Sequence, residues 1–191
     1  KRKCMQNAIK PGYLRVTEVL SPFSGLSKIA PLILQNAADR GTLVHKVIED
    51  MQEGFPKEEI PDHVFGYIES YEKWAKGKIF LPKPPRLYCD ELMITGEPDD
   101  MYLDGDDLVL DDYKTPLRES KTWPMQATAY SYLCKKNGYN VTRIQFVKLD
   151  KTGKAPKVFN YLEDMDMFRK ILECYRYFFK EENKENDLDY L

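Results

Sequence analysis

Residues 91–130 read ELMITGEPDDMYLDGDDLVLDDYKTPLRESKTWPMQATAY, from Glu91 to Tyr130. The Asp104-Gly105 pair between apolar runs signals a hairpin joining strands over roughly 99–103 and 108–114. Strand side chains alternate, so Asp112 and Lys114 share one face while Asp111 and Tyr113 take the other. Asp99 opens the neighbouring strand and can reach the same place as Asp112. Two carboxylates about 4 Å apart repel by roughly 1 kcal/mol in water and about 4 kcal/mol at an effective dielectric near 20. A fold avoids that arrangement unless a cation occupies it or one group stays protonated. Mg²⁺ suits two carboxylates with water and phosphate oxygens, and a histidine nearby makes Mn²⁺ equally suitable. A cation so held activates water and neutralises charge on a phosphodiester, and Lys114 would stabilise the transition state or orient the attacking water.

Around this stretch the pattern predicts a helix over 36–52, with Val44, Val47, Ile48 and Met51 at helical spacing and Gly54 and Pro56 as its stop. His45 and Glu49 are four apart and share a face. A second helix is predicted over 62–76, then a proline-broken segment and a strand over 87–94. A helix over 123–136 ends at Asn137-Gly138. A hairpin of strands 143–149 and 158–162 and a last helix over 163–182 follow. Val16–Leu20 reads as a short element closed by Ser21-Pro22. The order implies an α/β fold with a small mixed sheet flanked by helices.

The 191 residues suit a single domain, with a core over about 16–182 and a polar tail over 183–191. Basic and acidic residues number 29 and 31, so bulk charge does not make this a nucleic-acid coat. That balance still permits a local basic rim around an acidic metal centre. The chain shows neither a signal peptide nor a transmembrane run, and an intracellular location in the DNA-containing compartment is expected. Cys4, Cys89, Cys134 and Cys174 are scattered without a C-x-x-C pair, so free thiols and no iron–sulphur cluster are expected.

Taken singly, these residues are ordinary. Asp104, Asp106 and Asp107 suit a solvated turn, His45 a helix boundary, and Gln126 and Tyr130 an amphipathic helix. As an ordered set they carry more. Gly41-Thr42-x-x-His45-x-x-x-Glu49, Glu91, Gly96-x-x-Asp99, Asp112-Tyr113-Lys114-Thr115 and Gln126-x-x-x-Tyr130 together resemble the RecB-like exonuclease branch of the PD-(D/E)XK nuclease superfamily. The likeness spans about residues 16–165, and Pro98-Asp99 supplies the literal PD.

The resemblance implies a three-layer α/β/α restriction-endonuclease-like core. It makes Asp99, Asp112, the Tyr113 backbone carbonyl and His45 the ligands of Mg²⁺ or Mn²⁺, and Lys114 the catalytic lysine. Gln126 and Tyr130 would orient Lys114 or touch the DNA backbone, with Glu49 and Glu91 as supporting carboxylates. Arg118, Lys121 and Trp123 would rim the cleft, the cations on phosphates and Trp123 stacked on an unpaired base. Asp111 departs from the family pattern, which has an apolar residue there; on the outer face it is expected to be solvent-exposed or paired. The implied activity is a DNA exonuclease acting in recombination, repair or processing. Its rivals are a structure-specific endonuclease, an inactive DNA-binding module of the same fold, and a metal-binding protein without a nucleic-acid role.

Overall fold

The computed structural model describes residues 9–54 and 60–179. Lys1, Arg2, Lys3, Cys4, Pro56 and the tail over 183–191 lie outside the described residues. The elements in order are β1 (Leu14–Arg15), α1 (Val16–Leu20), α2 (Pro31–Gln52), α3 (Asp62–Ala75), β2 (Ile79–Phe80), β3 (Leu87–Cys89), β4 (Ile94–Gly96), β5 (Asp100–Asp104), β6 (Asp107–Lys114), α4 (Trp123–Lys136), β7 (Arg143–Lys148), β8 (Lys157–Tyr161) and α5 (Met165–Phe178).

The fold is mixed α/β, with two sheets where the sequence pattern implies one. A five-stranded sheet runs β2-β5-β6-β7-β8, and a three-stranded sheet runs β1-β4-β3. In the larger sheet β5 and β6 are antiparallel, with Asp100 opposite Asp111, whereas β6 and β7 are parallel, with Asp112 opposite Phe146. A parallel pair needs a long crossover, and α4 is that crossover. Helices cover both faces. On one, Val44 and Ile48 of α2 and Val64, Tyr67, Ile68 and Tyr71 of α3 pack with Tyr113 and Val147. On the other, Ala127, Tyr130 and Leu133 of α4 and Phe168 and Leu172 of α5 pack with Met101, Leu110, Ile144 and Phe146.

Several boundaries shift for physical reasons. Helix α2 starts five residues before the sequence pattern shows it, with Pro31 in its first turn, where a fixed φ and a missing N–H cost nothing. Leu32 and Ile33 there are 72% and 63% exposed, so the buried stripe that periodicity detects has not begun. The strand expected over 87–94 is a hairpin, β3 against β4, turning through Met93 at φ 44°. No glycine marks that turn, so the sequence pattern runs on through it. Helix α5 begins at Met165 because the Asp164 side chain caps it, accepting from the Met167 N–H at 2.9 Å. The segment Val16–Leu20 is a five-residue helix that buries Val16, Val19 and Leu20. Among the described residues Cys89 and Cys134 are buried free thiols and Cys174 is an exposed one.

Helix α3 is seated on the β7–β8 turn. The Asp150 N–H donates to Ser70 Oγ at 3.0 Å, and the Lys73 ammonium donates to the Gly153 carbonyl. The closeness rests on Gly66, where a Cβ would lie 2.0 Å from the Lys151 carbonyl oxygen. Gly41 of α2 has room, since the nearest atom to a Cβ there is Thr115 Oγ1 at 3.7 Å. Gly66→Ala should therefore cost about 1–3 kcal/mol, a Tm drop of roughly 3–10 °C, because backbone rather than a side chain must move. Gly41→Ala should leave Tm unchanged or raise it slightly, by up to about 1 kcal/mol of helix propensity. Thermal unfolding followed by circular dichroism checks the contrast.

Candidate active site

The site lies where β4 hands over to β5, beside the end of β6 and between α2 and α4. The parity of β6 sends Asp112 and Lys114 toward α4, and Asp99 reaches the same edge from the connection before β5. Asp99 is held twice. Its Oδ2 accepts from the Tyr113 N–H at 2.7 Å, and its Oδ1 lies 2.8 Å from His45 Nδ1. Burial alone would raise the Asp99 pKa, but the charge and hydrogen bond of His45 and the Tyr113 N–H bring it below the usual carboxylate range. His45 shifts the complementary way. Burial lowers its pKa, yet Asp99 and the charge of Asp112 leave it raised.

Asp112 is buried, with 3% of its surface exposed, and its Oδ2 forms an ion pair with the Lys114 ammonium. That oxygen finds no partner of good hydrogen-bond geometry among the described residues. Burial first and Asp99 after it push Asp112 up to about 6, against the pull of Lys114. Lys114 Nζ donates to Gln126 Oε1 at 3.0 Å and stands 4.6 Å from the centre of the Phe146 ring. Gln126 is in the first turns of α4, and Tyr130 lies one turn further along the same face. The Tyr130 hydroxyl is raised by burial and by the Asp112 and Asp99 charges, while its hydrogen bond with Gln126 opposes this. Its ring lies on β4 because Gly96 has no side chain, and a Cβ there would come within 2.7 Å of Tyr130 Cε1.

His45, Asp99, the Tyr113 backbone, Asp112, Lys114, Gln126 and Tyr130 thus come together from three parts of the chain. Among the described residues no three His, Cys, Asp or Glu side chains are drawn close enough to make a metal-holding group. The donor chemistry nevertheless fits a hard divalent cation. The set offers two carboxylates and an imidazole, and Asp112 Oδ2 is a buried acceptor matched only by Lys114.

Asp99 and His45 also line a cleft of about 400 Å³ with Gly41, Thr42, Lys46, Glu49, Lys83 and Glu97. Glu49 is one helical turn past His45, and its Oε1 accepts from Lys83 at 3.1 Å. Lys46, Lys83 and Glu97 were not legible as site residues.

Three expectations are corrected. Trp123 is not a base-stacking platform. It is 4% exposed, with its ring centre 6.0 Å from that of Phe146 and 5.7 Å from that of Phe159, because the first turn of α4 lays it onto β7 and β8. Glu91 does not support the site. It sits in the β3–β4 turn and is held by Lys136, Arg169 and Tyr132, at the opposite end of α4 from Gln126. These three partners pull its pKa down to about 2. Arg118 and Lys121 do stand exposed in the loop from β6 to α4.

Asp111 is the third correction, being buried rather than exposed and without an ion pair among the described residues. It is fully buried against the α2–α3 side, and neither carboxyl oxygen has a hydrogen-bond partner among the described residues. Gln145, its register partner on β7, donates its amide to the Tyr102 hydroxyl at 2.8 Å and only weakly lowers the Asp111 pKa. Opposite it on β5, Asp100 accepts from Tyr113 Oη at 2.5 Å and Gln52 Nε2 at 2.6 Å. Burial lifts Asp111 to about 8, with Asp100 adding to the rise, and lifts Asp100 to about 6.

No family profile and no curated protein sequence matches the chain. Among solved structures it is similar to an alkaline exonuclease (LHK-Exo) from Laribacter hongkongensis, at 12% identity and a TM-score of 0.46, with 86% of each chain covered. A structure titled SSO0001 is similar at 14% identity and a TM-score of 0.44, covering 86% of this chain and 74% of that one. A second LHK-Exo structure, in complex with dAMP, aligns at 11% identity and a TM-score of 0.38. Likenesses this distant assign no role to any residue here.

The buried Asp111 carboxyl has a measurable consequence. Its folded-state pKa of about 8 lies above the ordinary carboxylate value, so its contribution to stability is intact near pH 4 and lost as pH rises through about 8. Asp111→Asn keeps the shape and removes the titration. The variant should gain on the wild type as pH rises from 5 to 8, by on the order of a few kcal/mol at the upper end. Chemical denaturation of both proteins across that range checks it, and parallel pH curves would refute it.

Proposed function

We propose that this chain is a metal-dependent deoxyribonuclease of the RecB-like PD-(D/E)XK kind, hydrolysing phosphodiester bonds in DNA and acting as an exonuclease. One observation carries the reading. Asp99, Asp112 and Lys114 converge at the C-terminal end of β6, with a buried carboxylate oxygen matched, among the described residues, only by the lysine ammonium. A purely structural role leaves that arrangement costly, since desolvating two acids is repaid only by well-placed counter-charge.

Asp99, Asp112, His45 and the Tyr113 carbonyl would hold Mg²⁺ or Mn²⁺. When bound, the cation supplies Lewis acidity at a phosphate oxygen and activates water for in-line attack. His45 fixes the orientation of Asp99 through its Nδ1 contact, and the Tyr113 N–H fixes the second oxygen. Lys114 meets the negative charge that develops on the phosphoryl oxygens, or orients the attacking water. Gln126 holds the ammonium in place at 3.0 Å, and the Phe146 ring beneath it keeps water from that side. Arg118 and Lys121, exposed on the loop from β6 to α4, would take phosphates of the bound strand.

End-labelled single- and double-stranded DNA should be degraded with Mg²⁺ or Mn²⁺ and spared with EDTA. Asp112→Ala and Lys114→Ala should each lose about 10²–10⁴-fold in rate without loss of fold. Cleavage that survives both substitutions would sink the assignment. Closed circular DNA separates the alternatives, because an exonuclease leaves it intact whereas a structure-specific endonuclease nicks it. Gln126→Leu should lower kcat with little change in DNA affinity, by about 10-fold or more, if it acts through Lys114.

A further inference from the structure

The cleft beside Asp99 is lined by three carboxylates and two lysines, and the lysines were not part of the site that the sequence motifs define. Asp99, Glu97 and Glu49 all face it, so a polyanion entering it meets repulsion unless cations stand at the mouth. Two lysines do. Lys46 follows His45 on α2, and Lys83 comes from a different element, the segment joining β2 to β3, and reaches Glu49 on α2. That segment is stiff. Pro82, Pro84 and Pro85 fix its φ angles, the Leu81 N–H donates to the Met101 carbonyl at 2.8 Å, and Leu87 enters β3.

Each lysine pairs with a carboxylate, Lys46 with Asp50 at 2.7 Å and Lys83 with Glu49 at 3.1 Å. All four side chains are well exposed, from 41% to 70%, and exposed pairs of this kind are weakly held. A phosphate oxygen can take the place of either carboxylate at little cost. Arg86, three residues on, differs: its side chain is only 15% exposed and holds Glu97 at 2.7 Å, so Lys83 is the cation that segment offers to a ligand.

We propose that Lys46 and Lys83 form a two-sided clamp on a phosphodiester backbone, gripping a phosphate next to the one presented to Asp99 and Asp112. The proposal takes its ligand class from the nuclease reading but does not depend on hydrolysis. The clamp is a positioning device, built from two separate elements that line one cleft of about 400 Å³.

The test is binding of a fluorescent single-stranded oligonucleotide to the full chain with EDTA present, followed by anisotropy over a salt series. Lys46→Gln and Lys83→Gln should each weaken binding about three- to tenfold near 0.1 M salt and reduce the slope of log K against log salt by about 0.7. Lys83→Arg should restore the slope. Lys135→Gln, at the far end of α4 and paired with Glu163, should change neither quantity. An unchanged slope in both Gln variants overturns the clamp, as does a wild type that binds no oligonucleotide. A wild type that binds with the expected slopes but cleaves nothing in Mg²⁺ or Mn²⁺ leaves the clamp standing and removes the nuclease reading.

Discussion

Everything at the site depends on β6 being buried on both faces. An edge strand or a half-solvated one could carry charged residues freely; β6 is covered by α2 and α3 on one side and α4 and α5 on the other. Each of its polar side chains must then find a partner or lose its charge. Asp112 finds Lys114 two residues on. Asp111, one residue away and facing the other core, has no ion pair and no well-formed hydrogen bond among the described residues, and burial raises its pKa to about 8 against the weaker pull of Gln145 and Lys78. The pleat thus assigns two adjacent aspartates opposite fates.

The rest of the site follows from how β6 is connected. Its parallel pairing with β7 forces a crossover, and α4 returns over the face that bears Asp112 and Lys114. That places Gln126 against the lysine and Tyr130 against β4, where Gly96 makes room. On its other side β6 pairs with β5, and continuing that register brings Asp99 to Asp112 and its carboxylate to the Tyr113 N–H. The centre is therefore built on backbone hydrogen bonds of the sheet rather than on a loop, which gives its carboxylates fixed positions at the price of burying them.

Much of this was readable because strand parity and helical spacing are local properties. The Asp104-Gly105 turn set the register of β5 and β6, and with it the side of Asp112 and Lys114. The helix over 123–136 was read with its observed bounds, and Asn137-Gly138 marks its end. What escaped lacks a local signal. The exposed first turns of α2 have no buried stripe, and the Met93 turn has no glycine. Trp123 turns inward only because Phe146 and Phe159, more than twenty residues away in sequence, lie beneath it. Glu91 sits at a plausible distance from Asp99 along the chain, yet the β3–β4 hairpin carries it to the far end of α4.

By itself the sequence determined the α/β class, the main helices and the hairpin that puts Asp112 and Lys114 on one face, because these depend on spacing of two residues in a strand and four in a helix; Asp99, Gln126 and Tyr130 were singled out with them through the resemblance of the ordered motifs. Only the tertiary structure decided which of the remaining charged residues belong with them. Glu97, Lys46 and Lys83 join the cleft and Glu91 leaves it, because long-range packing of α2, the proline segment and the hairpin sets those neighbours. The same packing decided the state of Asp111. Pairing of a buried carboxyl depends on what the other layer presents to it, and no pattern along a single strand records that.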